Sequence, residues 1–295
     1  MGDKYLLKIL LLTFPFMLIG CSPPDVPDSI FKGNDALVSA METNISEAAT
    51  LSHVIDIDHA RLAKAAGQPF RPTEVVMFHD INLEQTLIQQ HQLLALELPF
   101  KVLAYTPESG DAQVIWNSLG FIENKYGVTF TPKIHNEYNQ SMSYVTKNVP
   151  RSDIQSFSSD TIDSDNITTL QSPYDFQDTL EKSLIAIKEN SDVTVFKVID
   201  YQKLLSDHGV NIRPTTLIMF GAPAPGGKAM RNAQTLGLDV FPQKYLVHQQ
   251  DNGEMAVSYN SLTVAADRQH VPKAIALHVI QYRLDKTFKK TLSAQ

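Results

Sequence analysis

The sequence predicts an α+β protein of two tandem, similar domains, each a small mixed or antiparallel sheet with helices packed on it. Three observations predict it. Gly67, Arg71-Pro72-Thr73 and Met77-Phe78 recur as Gly209, Arg213-Pro214-Thr215 and Met219-Phe220, all displaced by 142 residues. Within each copy, apolar runs of strand character alternate with segments of helical periodicity. The length, 295 residues, suits two ordinary domains.

The repeat extends in both directions. Upstream, Ile57-Asp58 matches Ile199-Asp200; downstream, Leu94, Leu96 and Glu97 match Leu236, Leu238 and Asp239. One inserted residue near Phe241 then moves the offset to 143, and Pro99, Lys101, Gly110 and Asn117-Ser118 match Pro242, Lys244, Gly253 and Asn260-Ser261.

Each element has a local reason. In the second copy an amphipathic helix is expected over 176–189 and a β-rich run over 193–199. Asp200 can cap a short helix carrying Leu204 and Leu205, with Gly209 ending it in the left-handed region; Asp58 and Gly67 stand in the same places in the first copy. A continuous apolar strand follows at 215–220, then a helix to about residue 235. Residues 244–247 and 254–259 form a hairpin around Asn252-Gly253, a favoured turn dipeptide. The last helix, about 272–288, carries Ile275, Val279 and Tyr282 at helical spacing. The expected organisation is a leader at 1–20, a tether at 21–30, a first, degenerate repeat at 31–128, a linker at 129–172 rich in Ser, Asp and Thr toward its end, and a second repeat at 173–290.

The leader reads as a signal peptide. Lys4 and Lys8 precede an apolar run over 9–19, broken by Thr13 and Pro15 and shorter than the ~20 residues that span a bilayer. The run ends Leu18-Ile19-Gly20-Cys21, which resembles the bacterial lipobox, in which the cysteine is lipidated and becomes the new amino terminus. Cys21 is the sole cysteine, so an exported chain would use it for acyl chains, palmitate among them, rather than for a disulfide. Ser22 in place of Asp resembles lipoproteins sent to the outer membrane, facing the periplasm. Pro23, Pro24 and Pro27 make the following segment an extended tether. The alternative is an uncleaved anchor or an ordinary secretory signal.

The residues common to the copies resemble the bacterial and archaeal family called domain of unknown function 302. Its pattern has a helix-capping Asp-His, a Pro-Thr strand ending Phe-Gly-Asn-Pro, then Leu-Pro, Lys, Asp-Gly and Tyr-Asn. The second copy has Asp200-Tyr201, Pro214-Thr215, Phe220-Gly221-Ala222-Pro223, Leu238, Pro242, Lys244, Gly253 and Tyr259-Asn260. The first keeps Asp58-His59, Leu98-Pro99, Lys101 and Asn117, with His79-Asp80-Ile81 in place of Gly-Asn-Pro and Trp116 in place of Tyr. The resemblance implies an α+β fold and no established activity.

Function classes narrow by exclusion. A formal net charge of -7 argues against a nucleic-acid partner. The segment Gly221-Ala222-Pro223-Ala224-Pro225-Gly226-Gly227-Lys228 has the setting of a phosphate loop but fails its pattern, leaving an anion on a helix start or a tight turn. No two of the nine histidines lie two to four residues apart, so a metal would need a site assembled in space, with His59 and His79 beside Asp58 and Asp80 as candidates. No cofactor motif and no nucleophile elbow is present.

The hairpin residues remain. Tyr259 and Asn260, with Trp116 and Asn117 placed likewise, either line a pocket or close the core and begin a turn; Lys101 and Lys244 would supply a cation to that pocket, with Arg213, Gly221, His59 and His248 as further ligand candidates. The reading is a lipid-anchored envelope protein, a non-catalytic small-molecule-binding or sensing module. The alternatives are an assembly lipoprotein with a protein partner, or an enzyme using His59 or His248 as acid or base.

Overall fold

The computed structural model describes residues 26–108, 110–150, 153–157, 167–271 and 275–293. The expected leader and Cys21 lie outside them. The first copy runs α1 (Phe31–Glu47), β1 (Leu51–Asp58), α2 (His59–Ala65), β2 (Thr73–Asp80), α3 (Ile81–Gln90), a 3-10 turn (Gln92–Leu96), β3 (Phe100–Tyr105), β4 (Gln113–Asn117), α4 (Leu119–Tyr126), α5 (Pro132–Val145) and β5 (Ile154–Phe157). The second runs β6 (Ile167–Ser172), α6 (Phe176–Lys188), β7 (Thr194–Asp200), α7 (Tyr201–Ser206), β8 (Thr215–Gly221), α8 (Pro223–Met230), α9 (Leu236–Asp239), β9 (Gln243–Gln249), β10 (Met255–Asn260), α10 (Leu262–Arg268) and α11 (Ile275–Thr291). The fold is α+β, as the repeat predicts.

The two copies use the same local grammar. The Asp58 carboxylate accepts the Arg61 amide and the Asp200 carboxylate accepts that of Lys203, capping α2 and α7. Gly67 and Gly209 follow at φ +74° and +79°, conformations that L side chains rarely adopt. The sheets have orders β1-β2-β3-β4-β5 and β6-β10-β9-β8-β7. The first is mixed, because β5 pairs parallel to β4; the second is antiparallel throughout.

Two expectations about the elements need correction. Residues 129–172, expected as a linker, contain α5, β5 and β6. Ile134, Tyr138, Met142 and Val145 of α5 are buried in the first core, while β5 closes the edge at β4 and β6 the edge at β10. A bare edge would leave a row of unpaired backbone groups, and the polar residues suit strands covered on one side only. The helix expected to reach 235 ends at Met230, and α9 is separate.

Alternation along the second sheet sets where the core lies. Ile218, Phe220, Tyr245, Val247, Val257 and Tyr259 pack with Phe288 of α11 and Ile187 of α6. The opposite face, Leu217, Met219 and Leu246, joins the core of the first copy. Each copy also lays a short helix on its neighbour's sheet: the Gln92–Leu96 turn contacts β8, β9 and β10, and α9 contacts β2 and β3. The seam is therefore a shared core.

Candidate functional site

The repeated motifs converge on that seam with pseudo-two-fold symmetry. Gln92 Nε2 donates to Thr215 Oγ1 at 2.8 Å, and its repeat equivalent Gln234 donates to Thr73 Oγ1 at 2.9 Å. The Pro-Thr motif of each copy thus receives a side chain from the other. The Leu98-Pro99 and Phe241-Pro242 peptides are both cis. Just beyond them, Lys101 and Lys244 stand second in β3 and β9, opposite Met77 and Met219, and both are buried.

Around these lysines stand two carboxylates and two further cations, again as repeat pairs: Glu97 with Asp239, and Lys125 with Arg268. Glu97 accepts from Lys125 Nζ at 2.5 Å and from Tyr126 OH at 2.8 Å, with Lys101 Nζ at 3.5 Å. Asp239 accepts from Asn117 Nδ2 at 2.5 Å and Gln269 Nε2 at 3.0 Å, with Lys101 Nζ at 3.9 Å. Lys244 Nζ donates to the Leu98 carbonyl at 2.6 Å. Burial works to raise the Glu97 carboxyl, yet the Lys125 and Lys101 ammonium groups outweigh it and hold the group well below the usual carboxylate range. For Lys244 burial prevails, seconded by Lys101, and the amine falls well below its ordinary value.

Four basic side chains therefore face two carboxylates in a seam that water barely enters. Several polar atoms in it have no hydrogen-bond partner: Arg268 Nε and Nη2, Gln269 Oε1, and the amide oxygens of Asn117 and Asn260. Unpaired donors in such a place cost about 1–3 kcal/mol each, and a guanidinium more, so the arrangement has chemical room for an acceptor. Behind the second sheet, on the face of Phe220, Tyr245, Tyr259 and Phe288, a separate cavity of about 10 Å³ also touches Asp239, Gln243, Lys244 and Asn260.

The structure brings Lys101, Asn117, Lys244 and Asn260 together, from two strands of each copy. Tyr259 is near but belongs to the core behind the sheet: it stacks on Tyr245 at 5.7 Å and donates to Asp285 Oδ1 at 2.7 Å. Arg213 lies away at the surface, bonded to Asp251 and to Gln92 Oε1. Gly221 ends β8 beneath Phe196, whose ring would stand 3.0 Å from a Cβ there. The following glycines serve packing too: a Cβ on Gly227 would fall 2.4 Å from Ala63 Cβ, so the α2–α8 crossing needs glycine.

The histidines fall into separate settings. His59 Nε2 meets the Gly237 carbonyl at 3.2 Å and His248 Nε2 meets Ser258 Oγ at 3.0 Å; burial pushes both rings down to about 4. His79 pairs with Glu84 at 2.8 Å, so it shares no site with His59. Among the described residues, the trio with ligating atoms within 4.8 Å of one another is Glu42, His53 and Asp56, on α1 and β1 and mostly exposed. Glu97, Lys125, Asp239 and Arg268 went unnoticed as site residues in the sequence, although the repeat offsets pair them.

These features define a class: an α+β protein in which two copies of one domain share a core and close a polar centre between them. The chain belongs to the family described as "Domain of unknown function DUF302", whose model matches residues 30–145 and 168–291. Among curated proteins it is similar to "Fluoride-specific ion channel FluC 1" of Brucella suis biovar 1 (strain 1330), 31% identical over 103 residues, or 35% of this chain and 39% of that protein. "Fluoride-specific ion channel FluC 2" of Brucella melitensis biotype 1 is also 31% identical over 103 residues, covering 37% of its length. The chain thus matches less than two fifths of the length of these relatives. No helix among the described residues is long and apolar enough to cross a membrane. A crystal structure of an uncharacterized conserved DUF302 protein from Bacillus stearothermophilus aligns over 44% of this chain and 97% of that one, at 16% identity and a TM-score of 0.37.

Proposed function

We propose that the protein is a lipid-anchored envelope module that binds a small anionic ligand at the seam between its two copies. The observation that carries this reading is the surplus of Lys101, Lys125 and Arg268 over Glu97 and Asp239, together with the unpartnered Nε and Nη2 of Arg268. A buried cation surplus favours an added negative charge far more than an exposed one does. Anchoring rests on the lipobox-like run ending at Cys21, and the outer membrane facing the periplasm is the proposed location. His59 and His248 serve poorly as acid or base in this reading, because each is buried, neutral near pH 7 and bonded to a structural partner. The names of the Brucella relatives make fluoride one anion to try first.

The experiment is a thermal-unfolding series on the full-length protein in detergent, with sodium salts of halides, phosphate, sulfate and small carboxylates at matched ionic strength. A bound anion raises the midpoint in a saturable way, by linkage to the folded state. Arg268→Gln removes or weakens the effect while far-UV circular dichroism reports an unchanged fold. A series in which no anion raises the wild-type midpoint overturns the reading. In the same preparation Cys21→Ala moves the protein out of the membrane fraction if the anchor is acyl chain.

A further inference from the structure

We infer that Glu42, His53 and Asp56 form a binding site for a divalent transition metal of the zinc kind, at the edge of the first sheet and separate from the seam. One ligating atom of each lies within 4.8 Å of the other two. His53 Nε2 is 2.7 Å from Asp56 Oδ2, while Asp56 Oδ1 is shielded from water and has no hydrogen-bond partner. The Glu42 carboxyl stands within hydrogen-bonding reach of Asp56. Two carboxylates that close repel each other, and a cation between them turns the repulsion into attraction.

The backbone brings the three together. In a regular strand His53 and Asp56, three residues apart, would point to opposite faces of the sheet. A bulge between His53 and Ile55 cancels one step, so that His53 lies opposite Phe78 and Asp56 opposite Val76, two positions on one face. Glu42 comes to that face from α1, which packs on β1 and β2. Because β1 is the edge strand, the cluster opens to solvent: the His53 side chain is 43% exposed and that of Asp56 17%. Water can therefore complete the coordination of a metal that takes three ligands from the protein.

The second copy supplies an internal control. It has the same bulge, between Val195 and Lys197, with Val195 opposite Phe220 and Val198 opposite Ile218. At the displacement of 142 residues, Glu42, His53 and Asp56 correspond to Leu184, Val195 and Val198. Leu184 and Val195 pack there as ordinary apolar contacts. The scaffold thus folds without an imidazole and two carboxylates at these places, and the first copy gathers them for another reason. Neighbouring charge also favours a cation: Glu74 adds a carboxylate within electrostatic reach of Asp56, and Arg61 is committed to Asp35 and Asp58. Imidazole mixed with carboxylates suits zinc and its neighbours, whereas calcium and magnesium take shells of oxygen.

The test is a calorimetric titration of the full-length protein in detergent, stripped with a chelator and dialysed, with zinc near neutral pH and with calcium and magnesium salts of the same anion as controls. Wild type is expected to bind one zinc ion per chain. His53→Val, which installs the side chain that the second copy carries, should weaken binding by about a hundredfold or more, since loss of a ligand exceeds the cost of losing an outer-shell partner. Glu42→Gln should weaken it by roughly tenfold or more. Far-UV circular dichroism reports whether each variant is folded; if His53→Val is not, the isosteric Glu42→Gln, at an exposed helix position, decides. A zinc isotherm that is the same in wild type and both variants overturns the placement. Calcium or magnesium bound as tightly as zinc overturns the class of metal. Wild type that takes up no zinc overturns the site.

Discussion

His59 and His248 carry a charge only at the expense of the fold. Each ring is pushed down by burial to about 4, against an unfolded value of about 6.5. Both groups therefore contribute full stability above about pH 6.5, and that stability is lost as pH falls toward 4, up to about 3 kcal/mol for each. Glu74 acts in the opposite direction. Burial, and then Asp58 and Asp56, raise its carboxyl to about 7, and Asp58 is its direct cross-strand neighbour. Its contribution is full below about 4.5 and is lost as pH rises through about 7. Urea midpoints measured across this range should peak near neutrality, and His59→Gln should flatten the acid limb. A profile unchanged by that substitution would rule out His59 as a source of it. Some of this was legible in the sequence. The Asp58-His59 dipeptide announces a capped helix, but that His59 turns to the Gly237 carbonyl, 178 residues away, depends on how the copies close.

At the scale of elements, α11 shows where sequence reading stops. Its helical spacing predicts a buried stripe, and two apolar stripes are present. Ile275, Val279 and Tyr282 are the ones that catch the eye, yet they are 83%, 52% and 65% exposed. Leu277, Ile280 and Phe288 face the core instead. Periodicity fixes a helix and its faces; the partner chooses between them. Ile275→Ser and Val279→Ser should therefore change stability by no more than about 0.5 kcal/mol, whereas Leu277→Ala should cost about 2–5 kcal/mol. Equal losses in a denaturant titration would contradict the assignment of faces. The glycine-rich opening of α8 is a similar case. Its composition suits a phosphate loop as well as a tight helix contact, and the 2.4 Å approach at Gly227 decides for the contact.

Across the whole molecule the duplication is the feature most fully legible in the sequence, and it also explains the candidate site. Lys101 with Lys244 and Asn117 with Asn260 are readable as repeat pairs. Glu97 with Asp239, and Lys125 with Arg268, are pairs of the same kind, missed because charged residues in a single copy look like a solvated face. Only two copies closing on each other turn them into one centre. That closure also governs unfolding. Leu246 of the second copy is fully buried in the core of the first, and the Gln92–Thr215 and Gln234–Thr73 bonds tie the sheets in both directions. Neither copy can open without exposing apolar surface of the other, so the described body should unfold as one cooperative unit. Trp116 sits in the first copy and provides the check. Leu246→Ala, which removes buried volume from the second sheet at a cost of about 2–5 kcal/mol, should lower the Trp116 fluorescence midpoint as much as it lowers the far-UV circular dichroism midpoint. If the fluorescence midpoint stays at its wild-type value while the dichroism divides into two steps, the copies fold separately, and the polar centre closes only as a contact between finished domains.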